Sequence, residues 1–274
     1  MQRSQCLFTV RPVGFDPVET IRLAALLEGA PGAGPLYSCL HADSLQEPDL
    51  LIANGDSQLA LAQLASRPPD ALQPALVVGG SHVTAWPAMA RPLEQGALHA
   101  RLAELLDTRV HALVQQGVRA RRVLAERRRR PRLGPDHETP AFYTRLRRGP
   151  VDGPVLIVDQ ACALRNRVAE VLGPRRIGVE WTDSQAAAVR LCDETPVALV
   201  LINTAAPAIE PYALCSSIKA QAGAMRTPVV FVVAPSFQYD SARARLAGAR
   251  GLLQTPVAGR HLMLTFQKLL DVPV

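Results

Sequence analysis

The sequence has few cysteines, almost no lysine and no long apolar run. Its five cysteines (Cys6, Cys39, Cys162, Cys192 and Cys215) lack the spacing of metal ligands, so we expect buried, reduced thiols and no metal site. No apolar run reaches the ~20 residues that cross a bilayer. The first residues also lack the apolar core of a signal peptide. We therefore expect a cytoplasmic protein without membrane attachment.

Motifs of common enzymes are also missing. The six histidines are not spaced as metal ligands, and none lies near a serine or cysteine nucleophile in sequence. There is no Walker motif and no glycine motif for dinucleotide binding. We expect no enzymatic activity and no cofactor.

Positive charge is concentrated in one segment. Residues 119–148 contain eleven arginines against three acidic residues, a net charge of +8. The whole chain carries +6, which leaves −2 for the rest. Two near-neutral regions therefore flank a strongly basic one. Only two of the 30 basic residues are lysines, a compositional bias that does not explain the clustering.

Short apolar runs alternate with stretches of helical period throughout the chain, and 274 residues suffice for two domains. The predicted strands are 7–10, 36–40, 50–53, 75–78 and 86–90, then 155–158, 178–181, 197–202, 229–233 and 251–253. This alternation predicts α/β architecture: two doubly wound, five-stranded, parallel-sheet domains of the flavodoxin type. The expected limits are 1–107 for the first domain, 108–150 for an extended helix and linker, and 151–274 for the second domain.

A helix is predicted from Leu93 to about Arg127, followed by a linker rich in proline and glycine. Its apolar positions exceed what one domain edge usually covers. We expect the helix to contribute to a homodimer; the alternative is that its apolar stripe packs on the second half of the same chain.

The second half resembles the receiver domain of two-component response regulators. The matching segments are Val155-Leu-Ile-Val-Asp159, Leu199 to Asn203, Pro228 to Val233 and Thr255-Pro256, and the first half repeats these elements more weakly. The resemblance implies a signalling protein with a protein partner.

Receiver chemistry uses a carboxylate pair for Mg²⁺, a nucleophilic aspartate, a hydroxyl and a lysine before proline. The resemblance places Asp159 with Gln160, then Asn203, Val233 and Thr255 at these positions in the second half. In the first half the corresponding set is Arg11 with Pro12, then Asn54, Gly79 and Arg91. Because an amide cannot form an acyl phosphate, both halves are predicted to be pseudo-receivers.

Some of these positions allow other interpretations. Arg11 and Arg91 could bind an anion beside a glycine-rich turn, or pair with Asp16, Asp56 or another local acid. Asp159 could bind the local backbone or a metal, although one carboxylate is too little for Mg²⁺.

The basic segment is the main candidate for ligand binding, because arginine recognises phosphate bidentately and aromatic rings stack on nucleobases. The candidate residues are Arg119, Arg121, Arg122, Arg127, Arg128, Arg129, Arg130, Arg132, Phe142, Tyr143, Arg145, Arg147 and Arg148. We expect a phosphate-bearing ligand such as the cyclic dinucleotide cyclic di-GMP, with nucleic acid less favoured. The alternatives are a protein–protein adaptor, a nucleic-acid-binding regulator, a solvated basic linker, or a linker that docks on acidic patches of its own domains.

Overall fold

The computed structural model describes residues 7–28, 34–66, 70–80, 85–127, 153–175 and 177–270; for residues 117–127 it describes the helical backbone only. The chain divides into two compact units. Unit 1 comprises Met1–Ala42 and Pro48–Pro135, and unit 2 comprises Asp43–Glu47 and Asp136–Val274. Each unit has its own sheet of five parallel strands. The predicted pair of five-stranded parallel-sheet domains is therefore confirmed.

Unit 1 has the strand order β2-β1-β3-β4-β5. Its strands are β1 (Leu7–Val13), β2 (Leu36–Cys39), β3 (Leu50–Asn54), β4 (Ala75–Val78) and β5 (Ala88–Met89). Its described helices are α1 (Pro17–Glu28), α2 (Gln58–Ala65) and α3 (Gln95–Arg127). Helices α1 and α3 cover one face of the sheet, and α2 covers the other.

Unit 2 has the corresponding order β10-β9-β8-β6-β7. Its strands are β6 (Val155–Val158), β7 (Val179–Thr182), β8 (Leu199–Asn203), β9 (Val229–Val233) and β10 (Gly251–Gln254). Its described α-helices are α4 (Cys162–Leu172), α5 (Gln185–Glu194), α6 (Pro211–Lys219), α7 (Ser241–Leu246) and α8 (Gly259–Leu270). Helices α4 and α8 pack on one face and α5, α6 and α7 on the other.

Local sequence accounts for where these elements begin. Asp16 caps α1, since its carboxylate accepts the Glu19 N–H at 2.7 Å, and Pro17 occupies the first turn. Asp240 caps α7 in the same way, with bonds of 2.8 and 3.0 Å. Strands β4, β6 and β9 are buried along their whole length, as expected for parallel strands covered on both faces.

The cysteines are only partly as predicted. Cys192 and Cys215 are buried, and loss of solvation raises the pKa of each thiol to about 11, so both stay protonated at neutral pH. Cys162, by contrast, is exposed at the start of α4, where the sequence predicted a buried thiol. Cys6 lies outside the described residues.

A buried ion pair joins α3 to the sheet of unit 1. Arg109 Nη1 lies 2.7 Å from Asp49 Oδ1, and Asp49 is 1% exposed. The Asp49 carboxylate also accepts the backbone N–H and the hydroxyl of Thr9 on β1, at 2.9 and 3.0 Å. Arg109 Nε donates to the Leu72 carbonyl at 2.8 Å. The middle of α3 is thus fixed to the residues that precede β3 and β4.

Helix α3 extends past its packed portion. Leu98, Leu102, Leu105 and Leu106 are buried in unit 1, whereas Leu113 and Val114 are 43% and 62% exposed. The helix continues to Arg127, so about 20 residues, or about 30 Å, follow Leu106. In the part of the chain that the structure describes, no helix is both long and apolar enough to cross a membrane.

The exposed apolar residues of α3 are Val110, Leu113 and Val114. We expect them to mediate self-association, because paired helices bury apolar positions that recur at heptad spacing. Light scattering at tens of micromolar should give a mass above the monomer, and Leu113→Glu should lower it. The matched control is Gln115→Glu, on an exposed residue two positions further along α3. A monomeric mass for the wild type, unchanged in Leu113→Glu, would contradict the prediction.

Candidate functional site

The carboxyl ends of the strands are built alike in the two units. Asn54 ends β3 and Asn203 ends β8, each the central strand of its sheet. Arg91 and Thr255 each precede a proline in a cis peptide bond just beyond the last strand. In parallel α/β sheets this edge is where ligands bind. These residues therefore mark the candidate site of each unit.

In unit 2, Asp159 just after β6 and Asn203 at the end of β8 bind each other. Asn203 Nδ2 donates to Asp159 Oδ1 at 2.9 Å, and the same oxygen accepts the Ala161 N–H at 3.2 Å. The Asn203 carbonyl oxygen accepts the Ala205 N–H at 3.1 Å. Asp159 is 3% exposed, and no lysine or arginine among the described residues forms an ion pair with it. The carboxylate is therefore held by an amide and the backbone, as one of the sequence interpretations proposed.

Thr255, just beyond β10, also binds a residue of its own unit. Thr255 Oγ1 donates to the Val233 carbonyl at 3.1 Å, so the residue in the lysine position carries no charge and binds its own sheet. A Mg²⁺ site needs several hard oxygen ligands. Here Asp159 is the one carboxylate, and the Asn203 oxygen already accepts a backbone N–H. These residues do not fit a Mg²⁺ site.

In unit 1 the strand register changes one assignment. Val13 pairs with Ala53, so Gly14 lies level with Asn54, just as Asp159 lies level with Asn203. Arg11 pairs with Leu51, within β1 and three residues before the edge. The position assigned to Arg11 and Pro12 by sequence therefore belongs to Gly14 and Phe15. The cause is the length of β1, which continues through Pro12 to Val13, whereas the strand predicted from sequence ends at Val10.

Arg91 is the centre of the unit 1 site. Its Nη1 donates to Glu19 Oε1 at 2.6 Å, and its Nη2 donates to Asn54 Oδ1 at 3.1 Å. Its Nε lies 3.4 Å from Asp56 Oδ2, and the guanidinium lies 5.8 Å from the centre of the Phe15 ring. The pairing of Arg91 with local acids, one of the two sequence interpretations, is the one observed. Two carboxylates already balance this cation.

The Gly79-Gly80 turn completes the same network. The Gly80 N–H donates to Asp56 Oδ1 at 3.0 Å, and both glycines have positive φ, 74° and 77°. A Cβ on Gly79 would lie 2.7 Å from Asp56 Oδ2 and 2.9 Å from Arg91 Nε. Glycine is therefore required for Asp56 and Arg91 to meet beside this turn.

Sequence reasoning did not find Glu19 as a site residue. Asp16 followed by Glu19 has the spacing of a capping box, which predicts that the Glu19 side chain turns back to the helix start. In the structure that side chain instead reaches Arg91, 72 residues later in the chain. Only the fold brings these two residues together.

The basic segment falls largely outside the described residues. Arg119, Arg121, Arg122 and Arg127 lie on the helical backbone of α3. Arg128, Arg129, Arg130, Arg132, Phe142, Tyr143, Arg145, Arg147 and Arg148 lie outside the description. The proposal of ligand binding by this segment therefore rests on sequence.

Comparison with protein families gives one match: residues 155–267 match the response regulator receiver domain. No curated protein matches the chain in sequence. The match covers the strands and helices of unit 2 from β6 into α8, in agreement with the resemblance seen in the sequence.

Several solved receiver structures are similar to the chain. The chemotaxis response regulator CheY4 of Vibrio cholerae is 19% identical, with 43% of this chain and 99% of that chain covered and a TM-score of 0.40. The receiver domain of a sensor histidine kinase from Pseudomonas aeruginosa is 20% identical, covering 44% and 98%, with a TM-score of 0.39. A receiver domain of a histidine kinase from Syntrophus aciditrophicus is 24% identical, covering 43% and 90%, also with a TM-score of 0.39.

Proposed function

Because residues 155–267 match the response regulator receiver domain, we propose that this protein is a receiver-type signalling protein that works without phosphorylation and without catalysing a reaction. The observation that carries the proposal is the hydrogen bond from the Asn203 amide to Asp159. A receiver that is phosphorylated needs an aspartate at the position of Asn203. Here a neutral amide stands at that position and binds the Asp159 carboxylate.

The chemistry of both sites supports this proposal. A phosphoryl acceptor must be a nucleophilic carboxylate, and the carboxamides of Asn54 and Asn203 are not. In unit 2 the position of the phosphate-binding lysine holds an uncharged threonine, Thr255. In unit 1 the corresponding arginine, Arg91, is already neutralised by Glu19 and Asp56. Both sites are internally satisfied polar networks, which suit a constant structural state better than a phosphate cycle.

Incubation with acetyl phosphate and Mg²⁺ is expected to leave the intact mass unchanged. A receiver that is known to be phosphorylated by acetyl phosphate serves as the positive control under the same conditions. A gain of one phosphate that disappears in Asn203→Ala, or in Asn54→Ala, would falsify the proposal for that unit. A gain that survives both substitutions would point to an acceptor elsewhere and would equally contradict signalling without phosphorylation.

For the input signal we propose a phosphate-bearing ligand that binds the basic segment, with a cyclic dinucleotide such as cyclic di-GMP favoured over nucleic acid. Its net charge of +8 supports this, as do Phe142 and Tyr143, whose rings are suited to stacking on bases. Arginine forks bind both phosphates and guanine edges. A ligand with higher affinity for one conformation shifts the population toward it, which gives a switch without phosphoryl transfer.

Calorimetry with cyclic di-GMP, cyclic di-AMP and a DNA duplex at two salt concentrations tests this proposal. We expect a cyclic dinucleotide to bind below 100 micromolar, and reversal of Arg127–Arg130 to glutamate to abolish binding. Reversal of Arg22, Arg165, Arg190 and Arg226, which lie in the described units, matches the charge change and should leave binding intact. No dinucleotide binding, binding that survives the first reversal, or DNA binding alone with a steep salt dependence would overturn the ligand proposal.

A further inference from the structure

One edge of the unit 2 sheet is covered by a short extended segment. The strand order leaves β10 at an edge, where backbone groups lack a neighbouring strand. Residues Asp43–Glu47, here called the edge segment, lie along it. The Leu45 N–H donates to the Leu252 carbonyl at 2.9 Å, and the Leu252 N–H donates to the Asp43 carbonyl at 3.3 Å. The segment thus adds one parallel bridge to the sheet, between Ser44 and Leu252.

Two side chains of the edge segment are specifically accommodated. Gln46 is 2% exposed; its Oε1 accepts the Gln254 N–H at 2.7 Å and its Nε2 lies 3.1 Å from His261 Nδ1 on α8. Leu45 packs against the apolar cluster between the sheet and α8. The β10 edge and α8 therefore form a groove with a place for leucine followed by glutamine.

The groove also lets the backbone of the edge segment approach β10 closely, and it places a basic side chain beside an acidic residue at each end of the segment. A Cβ on Gly251 would lie 2.9 Å from both the Asp43 carbonyl oxygen and Leu45 Cγ, so the bare glycine is what lets the segment approach. At the two ends, Arg245 lies 3.3 Å from Asp43 and Lys268 lies 2.9 Å from Glu47. A matching ligand is an extended strand with an acidic residue two positions before and two positions after the leucine.

The edge segment occupies the groove as part of the same chain. It makes two main-chain hydrogen bonds to β10, and the side chains of Arg245 and Lys268 at its ends are largely exposed. Ion pairs of this kind contribute little. Covalent linkage also favours its occupancy, because it gives a tethered segment an effective concentration of about millimolar. A free segment of the same chemistry must compete with that concentration.

We propose that the groove between the β10 edge and α8 is a docking site for an extended acidic segment of a partner protein, and that Asp43–Glu47 is a built-in occupant that the partner displaces. Addition of a strand to an exposed sheet edge is a common mode of peptide recognition, in which main-chain bonds give affinity and side-chain pockets give specificity. Here the bound segment itself shows the chemistry of the partner: acid, serine, leucine, glutamine, acid.

The test is binding of a fluorescent peptide with the sequence of residues 41–49 to the full chain. Three proteins are compared: the wild type, a vacated variant (Leu45→Ser with Gln46→Ala), and the vacated variant that also carries Gly251→Val. We expect the peptide to bind the vacated variant at least ten-fold more tightly than the wild type, because the internal competitor is removed. Gly251→Val should abolish that gain.

A charge exchange tests the specificity of the groove. A peptide with lysine at the positions of Asp43 and Glu47 should bind the vacated variant several-fold more weakly, and Arg245→Glu with Lys268→Glu should restore its affinity. If the vacated variant does not fold, Gln46→Ala alone removes the bonds of the buried amide to Gln254 and His261, and it should give the same order of affinities. Equal affinity for the wild type and the vacated variant, or a gain that persists in Gly251→Val, would overturn the proposal.

Discussion

Removal of either partner of the Asp49–Arg109 ion pair is expected to destabilise unit 1 by about 3–5 kcal/mol, the usual cost of breaking a buried ion pair by removing one partner. Asp49 is 1% exposed, and the two charged atoms lie 2.7 Å apart. Arg109→Met removes this cation from the buried carboxylate, which keeps its donors from Thr9. Because α3 is joined to the sheet by this pair, the loss should appear in the unfolding of unit 1.

The two tryptophans allow the units to be followed separately. Trp86 lies in unit 1 and Trp181 in unit 2, so a Trp181→Phe background reports unfolding of unit 1 and a Trp86→Phe background reports unit 2. In the Trp181→Phe background, Arg109→Met should lower the urea concentration at the midpoint of unfolding, compared with the same background without that substitution. The matched control is Arg101→Met, which removes an exposed i,i+3 pair with Glu104 on the same helix. That change should cost about 0–1 kcal/mol. Equal midpoints for the two variants would show that the buried pair is not important for stability.

Placing an acidic residue at position 203 (Asn203→Asp) is expected to destabilise unit 2 by at least about 2 kcal/mol at neutral pH, since a charged group loses its hydrogen bond and gains a like charge. In Asn203→Asp a carboxylate oxygen replaces the Nδ2 atom that lies 2.9 Å from Asp159 Oδ1. No described cation pairs with Asp159 to offset this repulsion. The midpoint of urea unfolding, read through Trp181, measures the effect.

The pH and Mg²⁺ dependence of Asn203→Asp identifies repulsion as the cause. Two adjacent carboxylates raise the pKa of one of them in the folded state. The destabilisation should therefore be complete above that raised pKa and should diminish as the pH falls below it. Millimolar Mg²⁺ should also reduce it, because the variant has the second carboxylate that the wild type lacks.

Two controls separate this effect from simple loss of a hydrogen bond. Asn203→Ala removes the same bond without adding charge, so its deficit should be smaller, should vary less with pH and should not depend on Mg²⁺. Asn54→Asp makes the equivalent change in unit 1, where Arg91 Nη2 already donates to that side chain at 3.1 Å. We expect Asn54→Asp to lower the stability of unit 1 by less than Asn203→Asp lowers the stability of unit 2. A deficit for Asn203→Asp that is constant across pH and Mg²⁺ would contradict the repulsion argument.

The sequence by itself determined the elements and their order. Strands such as 75–78, 155–158 and 229–233 were predicted with the bounds that the structure shows, because each is an apolar run covered on both faces. The start of α1 was readable from Asp16-Pro17, since capping depends on neighbouring residues only. The sequence also placed both asparagines at the ends of their strands, because each follows directly on a recognisable apolar run.

Only the tertiary structure decided which residues meet. Glu19, Asn54 and Asp56 converge on Arg91 from separate elements, and the register of β1 moves Gly14 rather than Arg11 to the level of Asn54. The edge segment joins unit 2 although it lies between β2 and β3 of unit 1 in sequence. The physical reason is one of range. Helix and strand formation depend on residues a few positions apart, whereas ion pairs and edge pairing depend on strand register and side-chain reach between distant segments, which no local pattern records.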